Sequence, residues 1–323
     1  MRSNRLLLTL AVSGALALGA AACGDDDDGN DAAASNGGGK LSGKIAIDGS
    51  STVGPFAEAA AELFQEENPD VQVTVGISGT GGGFEKFCAG ETDISDASRP
   101  IKPDEEAPVC DKAGVKYTEV QVANDGIAVA SSKELAVDCL TTDQLEKIWN
   151  KGSKVKSLAD VDGNLPDTEL SLYGPGTDSG TFDFFTEKIN GEEGVSRENY
   201  EPSEDDNQLV TGVAGDKGGL GYFGFSYYEG AADKLNLVGV DDGSGNCVKP
   251  SNETIQDGSY KPLSRPLFMY PSAKAMKRPE VKAFMEFVVA QAPAIAEASK
   301  IVPLTNEQTT TAKDELAKAE TGA

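Results

Sequence analysis

The sequence predicts an α/β fold, in which strands and helices alternate along the chain. Short apolar or alternating runs, typical of strands, are followed by segments with apolar residues at helical spacing. Three of the strand-to-helix connections are rich in Ser, Thr and Gly. No repeat with a period of roughly 20–50 residues is visible, so a solenoid is not predicted. Ligands of α/β proteins bind at the carboxyl ends of strands, which makes these connections the candidate binding segments.

The first predicted elements are short and mostly apolar. Strands are predicted at Lys44–Ile47, Val71–Val75, Val115–Val122 and Ile127–Ala130, with a further turn starting at Asp93–Ile94. A helix is predicted at Pro55–Glu66, because Phe56, Ala60 and Phe64 recur on one helical face. A second helix opens around Phe84–Phe87, after a glycine-rich run.

The rest of the chain continues the alternation. Strands are predicted at Leu170–Tyr173, Gly221–Phe225 and Leu267–Tyr270, and helices at Thr141–Trp149, Phe182–Ile189, Leu209–Val213 and Glu280–Gln291. Thr141 or Thr142 is suited to cap the first of these helices. The last helix is amphipathic, and its predicted core face carries Val281, Phe284, Met285 and Val288.

The N-terminal segment has the features of a secretory signal. Met1–Arg5 is basic, and Leu6–Ala22 is apolar or small and shorter than the ~20 residues of a stable spanning helix. Cys23 follows three alanines as in a bacterial lipobox, although the usual Leu at the first lipobox position is Ala20 here. We therefore expect residues 1–22 to be removed and Cys23 to be lipidated. The alternative is a plain secreted protein that loses Cys23.

Residues 23–40 are predicted to form a flexible tether between the lipid and the folded body. Gly24–Lys40 is acidic and then small, with no periodic apolar residue, so it cannot bury enough surface to order itself. The acidic run Asp25–Asp28 lacks the spacing and the terminal Glu of a calcium loop. We therefore predict no metal site in this segment.

Composition excludes several functions. The 323 residues include 28 Lys+Arg and 53 Asp+Glu, for a formal net charge of −25. Nucleic acids and anionic membrane surfaces are bound through Lys and Arg, so neither is an expected partner of the protein surface. The chain has no histidine, which excludes His-based triads, His zinc sites and His general bases. No cofactor and no metal are predicted.

Four cysteines remain in the body once Cys23 is set aside. An even number in an exported chain predicts two disulfides, for which three connectivities are possible. We favour Cys88–Cys110, which closes a short loop, and Cys139–Cys247, which would brace one domain. Buried free thiols are the alternative. No CxxC motif is present, so neither a redox nor a zinc role is predicted.

Three strand-to-helix turns share one chemistry. They are Gly49–Thr52, Ser78–Gly81 and Thr177–Thr181. A helix N-terminus offers unpaired N–H groups and partial positive charge, glycine allows close backbone approach, and hydroxyls add donors. Such a turn is a neutral cage for an anion, although each turn alone could be an ordinary N-cap. Three such turns make that alternative weaker, but the pattern does not show that they meet in space. None fits the nucleotide P-loop pattern GxxxxGK[ST], and GxGxG within Gly79–Gly83 lacks dinucleotide spacing.

The sequence resembles a known family over most of its length. The segments IDGSSTVGPFAEAAAELF, VGISGTGGGFEKFCAGETDISDASRPIK, YGPGTDSGTFDFFTE, GGLGYFGFSYY and RPLFMY are similar to those of the phosphate-binding lipoproteins of ABC importers, the PstS family. The resemblance implies a two-lobed type II periplasmic-binding-protein fold, each lobe a mixed sheet flanked by helices. Lobe I would comprise residues 41–123 and 263–323, and lobe II residues 124–262. We expect the two hinge crossings near Val122–Asn124 and Lys261–Pro266.

The resemblance also implies a set of phosphate-binding residues. The set comprises Ser50, Ser51, Thr52, Ser78, Gly79, Thr80, Ser98, Ser179, Gly180 and Thr181. We add Arg99 and Asp125 ourselves, because the sequence departs from the family at two further positions. The best-known members have an Arg just before the SGT turn, where this chain has Gly174-Pro175-Gly176. We expect Arg99 to supply the cationic, bidentate contact instead, a surface or hinge Arg paired with an acid being the alternative.

The same members have an Asp directly after the serine that matches Ser98, where this chain has Arg99. A carboxylate in that role accepts the proton of phosphate and repels fully ionised sulfate. We favour Asp125 as its replacement, followed by Asp178 or Asp96; the alternative for Asp125 is an ordinary turn residue before Gly126.

The resemblance implies a function and its partners. We expect high-affinity extracytoplasmic binding of inorganic phosphate and delivery to a membrane ABC permease and its ATPase by lobe closure. The protein would be a monomer, lipid-anchored to the outer face of the cell membrane. A receptor of the same fold for sulfate, molybdate or tungstate is the alternative.

An exported serine hydrolase is the distant alternative. Ser179 lies between Asp178 and Gly180, but GxSxG is absent there, no His can act as base, and no SxxK places a Lys beside the turn. We therefore predict that the protein is not an enzyme.

Overall fold

A computed structural model describes residues 40–177 and 179–321 of the chain. This part contains ten strands: β1 Gly43–Gly49, β2 Val71–Ile77, β3 Ile94–Ala97, β4 Val120–Ser132, β5 Cys139–Thr141, β6 Ser171–Gly174, β7 Glu201–Pro202, β8 Gly219–Gly224, β9 Leu235–Asp241 and β10 Ser264–Pro271. The signal segment, Cys23, most of the tether and Asp178 lie outside the described residues.

Helices follow most of the strands. The described part contains α1 Gly54–Glu67, α2 Gly79–Cys88, α3 Ala107–Ala113, α4 Thr142–Trp149, α5 Gly180–Phe185, α6 Asp206–Gly215, α7 Phe225–Glu229, α8 Asn252–Gln256, α9 Pro279–Ala298 and α10 Asn306–Thr321. A π-helical turn at Thr186–Asn190 extends α5. Within these described residues, every helix is too short or too polar to span a bilayer.

The strands form one mixed sheet in the order β2-β1-β3-β10-β4-β8-β6-β7, with β9 on β4 and β5 on β9. β1 pairs in parallel with β2 and β3, so the carboxyl ends of these three strands lie at one edge. β10 runs antiparallel to both β3 and β4. The long strand β4 joins two regions: its first part pairs with β10, and from Ile127 it pairs with β8. The α/β prediction is therefore confirmed.

Two large apolar cores lie along this sheet. One contains Phe56, Phe64 and Phe284, and every buried side chain in it comes from residues 45–123 or 267–316. The other is built around Trp149 and Tyr222 and draws on residues 127–263, with Val302 added. This distribution fits the predicted lobes, whose boundaries stay a prediction.

The segment before α10 packs against β4. Val302 and Asn124 exchange two backbone hydrogen bonds, with N–O distances of 2.9 and 3.0 Å. The side-chain amide of Asn124 donates to the carbonyl of Pro303 and to Gln308 Oε1, each at 3.1 Å. The chain therefore contacts the β4 crossing a second time, late in the sequence.

Both favoured disulfides are present. Cys88 bonds to Cys110 across 22 residues of sequence, and Cys139 bonds to Cys247 across 108. The first joins the end of α2 to α3, and the second connects the start of β5 to the segment after β9. The prediction of this connectivity is confirmed.

Most predicted elements are present, with local errors. Thr141 caps α4 in a capping box with Gln144, and the four predicted core residues of α9 are fully buried. The strand predicted at Val115–Val122 is wrong in its first part, because the chain leaves α3 there and β4 starts only at Val120. Its end and Ile127–Ala130 belong to one continuous strand.

Candidate functional site

The first two Ser/Thr/Gly turns meet at the carboxyl ends of the parallel strands. The backbone N–H of Ser50 donates to the carbonyl of Asp96 at 3.1 Å, and that of Ser78 donates to the carbonyl of Gly49 at 3.1 Å. A Cβ on Gly83 would lie 2.5 Å from the Cα of Gly49, so only glycine lets α2 approach β1 this closely. The α2 helix begins at Gly79, earlier than predicted, because the glycine run is part of it.

Side chains beneath the second turn hold its hydroxyls in place. Ser78 donates its hydroxyl to the carboxylate of Asp48, which also pairs with Lys86 at 2.7 Å. Thr80 Oγ1 lies 3.1 Å from Ser98 Oγ and accepts the Ser98 backbone N–H at 3.2 Å. Ser98, at the end of β3, is therefore joined directly to the second turn.

The third turn lies against the first. Ser179 caps α5 by accepting the N–H of Thr181 at 3.2 Å. A Cβ built on Gly180 would lie 2.3 Å from Thr52 Oγ1 and 2.6 Å from Ser51 Oγ. This contact requires a glycine and brings segments more than a hundred residues apart into one site.

Arg265, which was not predicted from the sequence as a site residue, is the central cation of the site. Its Nη2 donates to Thr52 Oγ1 at 2.6 Å and to the carbonyl of Gly180 at 3.2 Å. Its Nε lies 3.1 Å from Asp125 Oδ2, and each of these two side chains is 11% exposed. The guanidinium also lies 3.8 Å from the ring centroid of Phe184. The sequence feature that could have identified Arg265 is its position at the start of the RPLFMY segment.

Arg99 also lines the site, but a carboxylate already pairs with it. Its Nη1 and Nη2 donate to the two carboxylate oxygens of Glu106 at 2.9 and 2.8 Å. The arrangement matches the alternative considered for this residue, an Arg paired with an acid. Its contact with an anion stays a prediction.

These residues surround a cavity of about 470 Å³. The predicted residues that line it are Ser50, Ser51, Thr52, Ser78, Gly79, Thr80, Ser98, Arg99 and Gly180. Ser179 and Thr181 stand beside Gly180 but are not among the lining residues, and Asp125 reaches the site through Arg265. The structure thus brings the three turns together.

Three acids not predicted from the sequence also line the cavity: Asp183, Glu187 and Glu193. Ser51 lines the same cavity and favours the ionised form of Asp183. Burial, and secondly the nearby charge of Glu193, raise the pKa of Asp183 to about 6. The only sequence signal was its place in the helix that follows the third turn.

Asp125 and Asp96, two of the carboxylates predicted to accept the proton of phosphate, do not line the cavity. Asp125 is ion-paired with Arg265. Asp96 is fully buried, does not line the cavity, and has no hydrogen-bond partner for either carboxylate oxygen within the described residues. Burial and the neighbouring Asp48 raise the pKa of Asp96 to about 8. Asp178 lies outside the described residues.

The arrangement suits an oxyanion. It combines hydroxyls, backbone N–H groups at the starts of helices, and one mostly buried guanidinium. Across residues 40–177 and 179–321, no group of three or more His, Cys, Asp or Glu side chains could hold a metal ion.

Comparisons with known proteins identify the class. A family model described as a PBP superfamily domain matches residues 34–292. Protein SphX of Synechococcus elongatus is 44% identical over 280 residues, which cover 86% of this chain and 82% of SphX. Phosphate-binding protein PstS of Staphylococcus saprophyticus is 41% identical over 318 residues, covering 98% of this chain and 95% of that protein. The chain therefore belongs to the PBP superfamily and, within it, to the PstS and SphX family.

Solved structures agree with this assignment. The crystal structure of a possible phosphate-binding protein from Planctomyces limnophilus is 43% identical, with a TM-score of 0.81, and covers 86% of this chain and 99% of its own. A protein from Clostridium perfringens, assigned as a phosphate ABC transporter substrate-binding protein and solved with bound phosphate, is 27% identical. Its TM-score is 0.57, with coverage of 81% of this chain and 100% of its own. The predicted periplasmic-binding-protein fold is confirmed.

Proposed function

We propose that this protein binds inorganic phosphate outside the cytoplasm and delivers it to an ABC importer. The observation that carries the proposal is that three Ser/Thr/Gly turns line one cavity together with Arg265, which contacts Thr52 of the first turn and Gly180 of the third. The names of its PstS relatives and the bound phosphate in the Clostridium perfringens structure support this choice of anion.

The cavity would hold phosphate through complementary donors. The hydroxyls of Ser51, Thr52 and Ser78 and the N–H groups at the starts of α1 and α2 would donate to its oxygens, and Arg265 would balance its charge. Because the first and third turns touch at Gly180, these donors can act together only while the turns are adjacent. Phosphate would therefore favour the closed arrangement over an open one.

Neither hydrolysis nor nucleophilic catalysis fits the site as well as binding does. The chain contains no histidine, and Ser179 acts as a helix cap. We propose a non-enzymatic receptor, and a receptor for another oxyanion such as sulfate, molybdate or tungstate is the second candidate. The donors that line the site suit any of these oxyanions. The similarity to SphX and to the phosphate-binding protein PstS supports phosphate.

The N-terminal sequence supports an extracytoplasmic location for the proposed receptor. Export by residues 1–22 and lipidation of Cys23 would place the receptor on the outer face of the cell membrane, beside a permease and its ATPase. The acidic tether would leave the body free to reach the permease.

The test is a calorimetric titration of the full-length protein, purified in mild detergent and stripped of bound anion. Phosphate, sulfate and molybdate are titrated separately at about pH 7.5. We expect tight 1:1 binding of phosphate and no heat with sulfate. Tight binding of sulfate or molybdate instead would keep the fold and overturn the ligand. No binding of any of the three would refute the receptor proposal.

A further inference from the structure

One nitrogen of Arg265 makes no hydrogen bond to the protein. Nε donates to Asp125, and Nη2 donates to Thr52 Oγ1 and to the carbonyl of Gly180. Nη1 has no hydrogen-bond partner within the part of the chain that the structure describes. Because a guanidinium carries five N–H donors, both hydrogens of Nη1 are available to an anion in the cavity that Arg265 lines.

The ring of Phe184 covers one face of the same guanidinium. The N–H groups of a guanidinium lie in its plane, so the three hydrogen bonds fix its rotation within that plane and restrain its tilt less. The ring centroid of Phe184 lies 3.8 Å from Cζ of Arg265. Phe184 is on α5, just after the third turn, and is only 3% exposed. The ring therefore restrains the tilt and keeps water from that face.

This contact is closer than the other cation–ring contacts of the described residues. Cζ of Arg99 lies 5.9 Å from the ring centroid of Phe84, and Nζ of Lys188 lies 5.8 Å from that of Phe184. Attraction between a cation and a ring extends to about 6 Å, so both of these contacts are at its limit. The ring of Phe184 therefore acts mainly on Arg265.

Phe184 is itself held in place by packing. It belongs to the apolar core built around Trp149 and Tyr222. Because protein cores are close-packed, the ring cannot turn away from Arg265 without losing contacts in that core. The orientation of the guanidinium is thus tied to a rigid part of the fold.

We propose that Phe184 is a positioning residue of the anion site, which holds the guanidinium of Arg265 so that Nη1 presents its two hydrogens to bound phosphate. The inference rests on the proposed function and adds an apolar residue to the polar groups of that site. By excluding water from one face, the ring also leaves the positive charge less screened, which strengthens its attraction for the anion. Phe184 acts through Arg265 and needs no contact with phosphate.

The experiment compares three full-length proteins by calorimetric titration of phosphate: wild type, Phe184→Leu and Phe185→Leu. Leucine keeps an apolar side chain and removes the face of the ring. Phe185 is the matched control, because it is the next residue of α5 and is also buried, but stacks on Tyr222 with 3.7 Å between ring centroids. Urea unfolding of each protein measures the loss of stability separately.

We expect Phe184→Leu to weaken phosphate binding by roughly three- to thirtyfold, the range from an exposed to a desolvated cation–π contact. Phe185→Leu should bind phosphate within about twofold of wild type. Both variants should lose stability, because each removes a ring from the core.

A double-mutant cycle distinguishes positioning from general packing. In a background that carries Arg265→Met and Asp125→Asn, Phe184→Leu should change phosphate affinity by less than about twofold, since the cation that it positions is gone. A purely structural role of the ring would give the same loss in this background as in wild type.

The outcomes separate the two proposals. If wild type binds phosphate and Phe184→Leu binds it equally well, only this inference fails. Equal losses of affinity for Phe184→Leu and Phe185→Leu, or an undiminished loss in the background without Arg265, would also overturn it. If wild type binds no phosphate, both proposals fail. Should Phe184→Leu not fold, Phe184→Met replaces it with the same expected results, because the flexible side chain of methionine adapts to irregular core space.

Discussion

Arg265 and Asp125 are direct partners in the antiparallel register of β10 and β4, and their side chains form a mostly buried ion pair. The pair lies where β4 passes from one core to the other. One nitrogen of the guanidinium bonds to Asp125, and another bonds to both the first and the third turn. The cation of the binding site is therefore held by the strands that connect the two regions.

We expect the loss of Arg265 to weaken phosphate binding more than the loss of Arg99. Breaking one half of a buried pair is itself destabilising, so the variant is Arg265→Met combined with Asp125→Asn. Phosphate affinity should fall at least roughly tenfold, because a charge-assisted contact is lost. Arg99→Met should have a smaller effect, since Glu106 already occupies that guanidinium. Calorimetric titration of phosphate into both variants measures this difference. A larger loss of phosphate affinity with Arg99→Met would favour the Arg99–anion contact that was predicted from the sequence.

Gly180→Ala should impair the close approach of the third turn to the first. Its added Cβ would lie 2.3 Å from Thr52 Oγ1, so the first and third turns could not keep their present contact. We expect phosphate affinity to fall by roughly tenfold or more, with a thermal unfolding midpoint close to that of wild type. Gly163→Ala is the control, because a Cβ there meets open space. Equal affinities for these two variants and wild type would show that the contact is not needed.

Asp96→Asn should make stability less dependent on pH. The pKa of Asp96 is about 8 in the folded protein, against an ordinary value of 3.8. Between these values the folded state holds a proton that the unfolded chain releases. The free energy of unfolding therefore falls as pH rises, by up to about 1.4 kcal/mol per pH unit from this group.

Urea unfolding of wild type and Asp96→Asn between about pH 5 and 8 measures this slope. We expect a shallower slope and greater stability at the upper pH for the variant. Ser95→Ala is the control: it removes a buried, unpartnered hydroxyl beside Asp96 that does not titrate, so it should leave the slope unchanged. Parallel pH profiles for wild type and Asp96→Asn would contradict the prediction.

Removing either disulfide should lower the free energy of unfolding by roughly 2–5 kcal/mol. Cys139–Cys247 closes a loop of 108 residues and Cys88–Cys110 one of 22, so the longer loop should cost more to lose. Denaturant unfolding of the two Cys→Ser double variants measures both. A larger loss for the shorter loop would show that local packing, not chain entropy, dominates.

The sequence was sufficient to identify the first two turns as anion-binding candidates, but not to show that they meet. β1 and β2 carry clear apolar patterns, whereas their parallel pairing, which places both turns at one edge of the sheet, is seen only in the structure. Thr141 could be predicted as a helix cap, because its partner Gln144 is three residues away. The turns and the cap could be identified because they depend on local sequence pattern.

Arg265 could not be found in that way. It lies 140 residues from Asp125 and 213 from Thr52, and only tertiary packing brings them together. In the sequence, Asp183 is an ordinary polar residue of a predicted helix, and only the contact between the third and first turns places it in the cavity. The continuity of β4 was missed because Asn124-Asp125-Gly126 resembles a turn, whereas pairing with β10 keeps these residues extended.

The bridge between Val302 and Asn124 has a consequence for biosynthesis. A ribosome makes the chain from its N-terminus, so the three turns and Arg265 are synthesised before the segment that pairs with β4 at Asn124. A chain that stops short of residue 300 therefore contains the residues of the candidate site but lacks the hydrogen bonds of Val302 to β4. Only a chain translated beyond Val302 can complete this pairing.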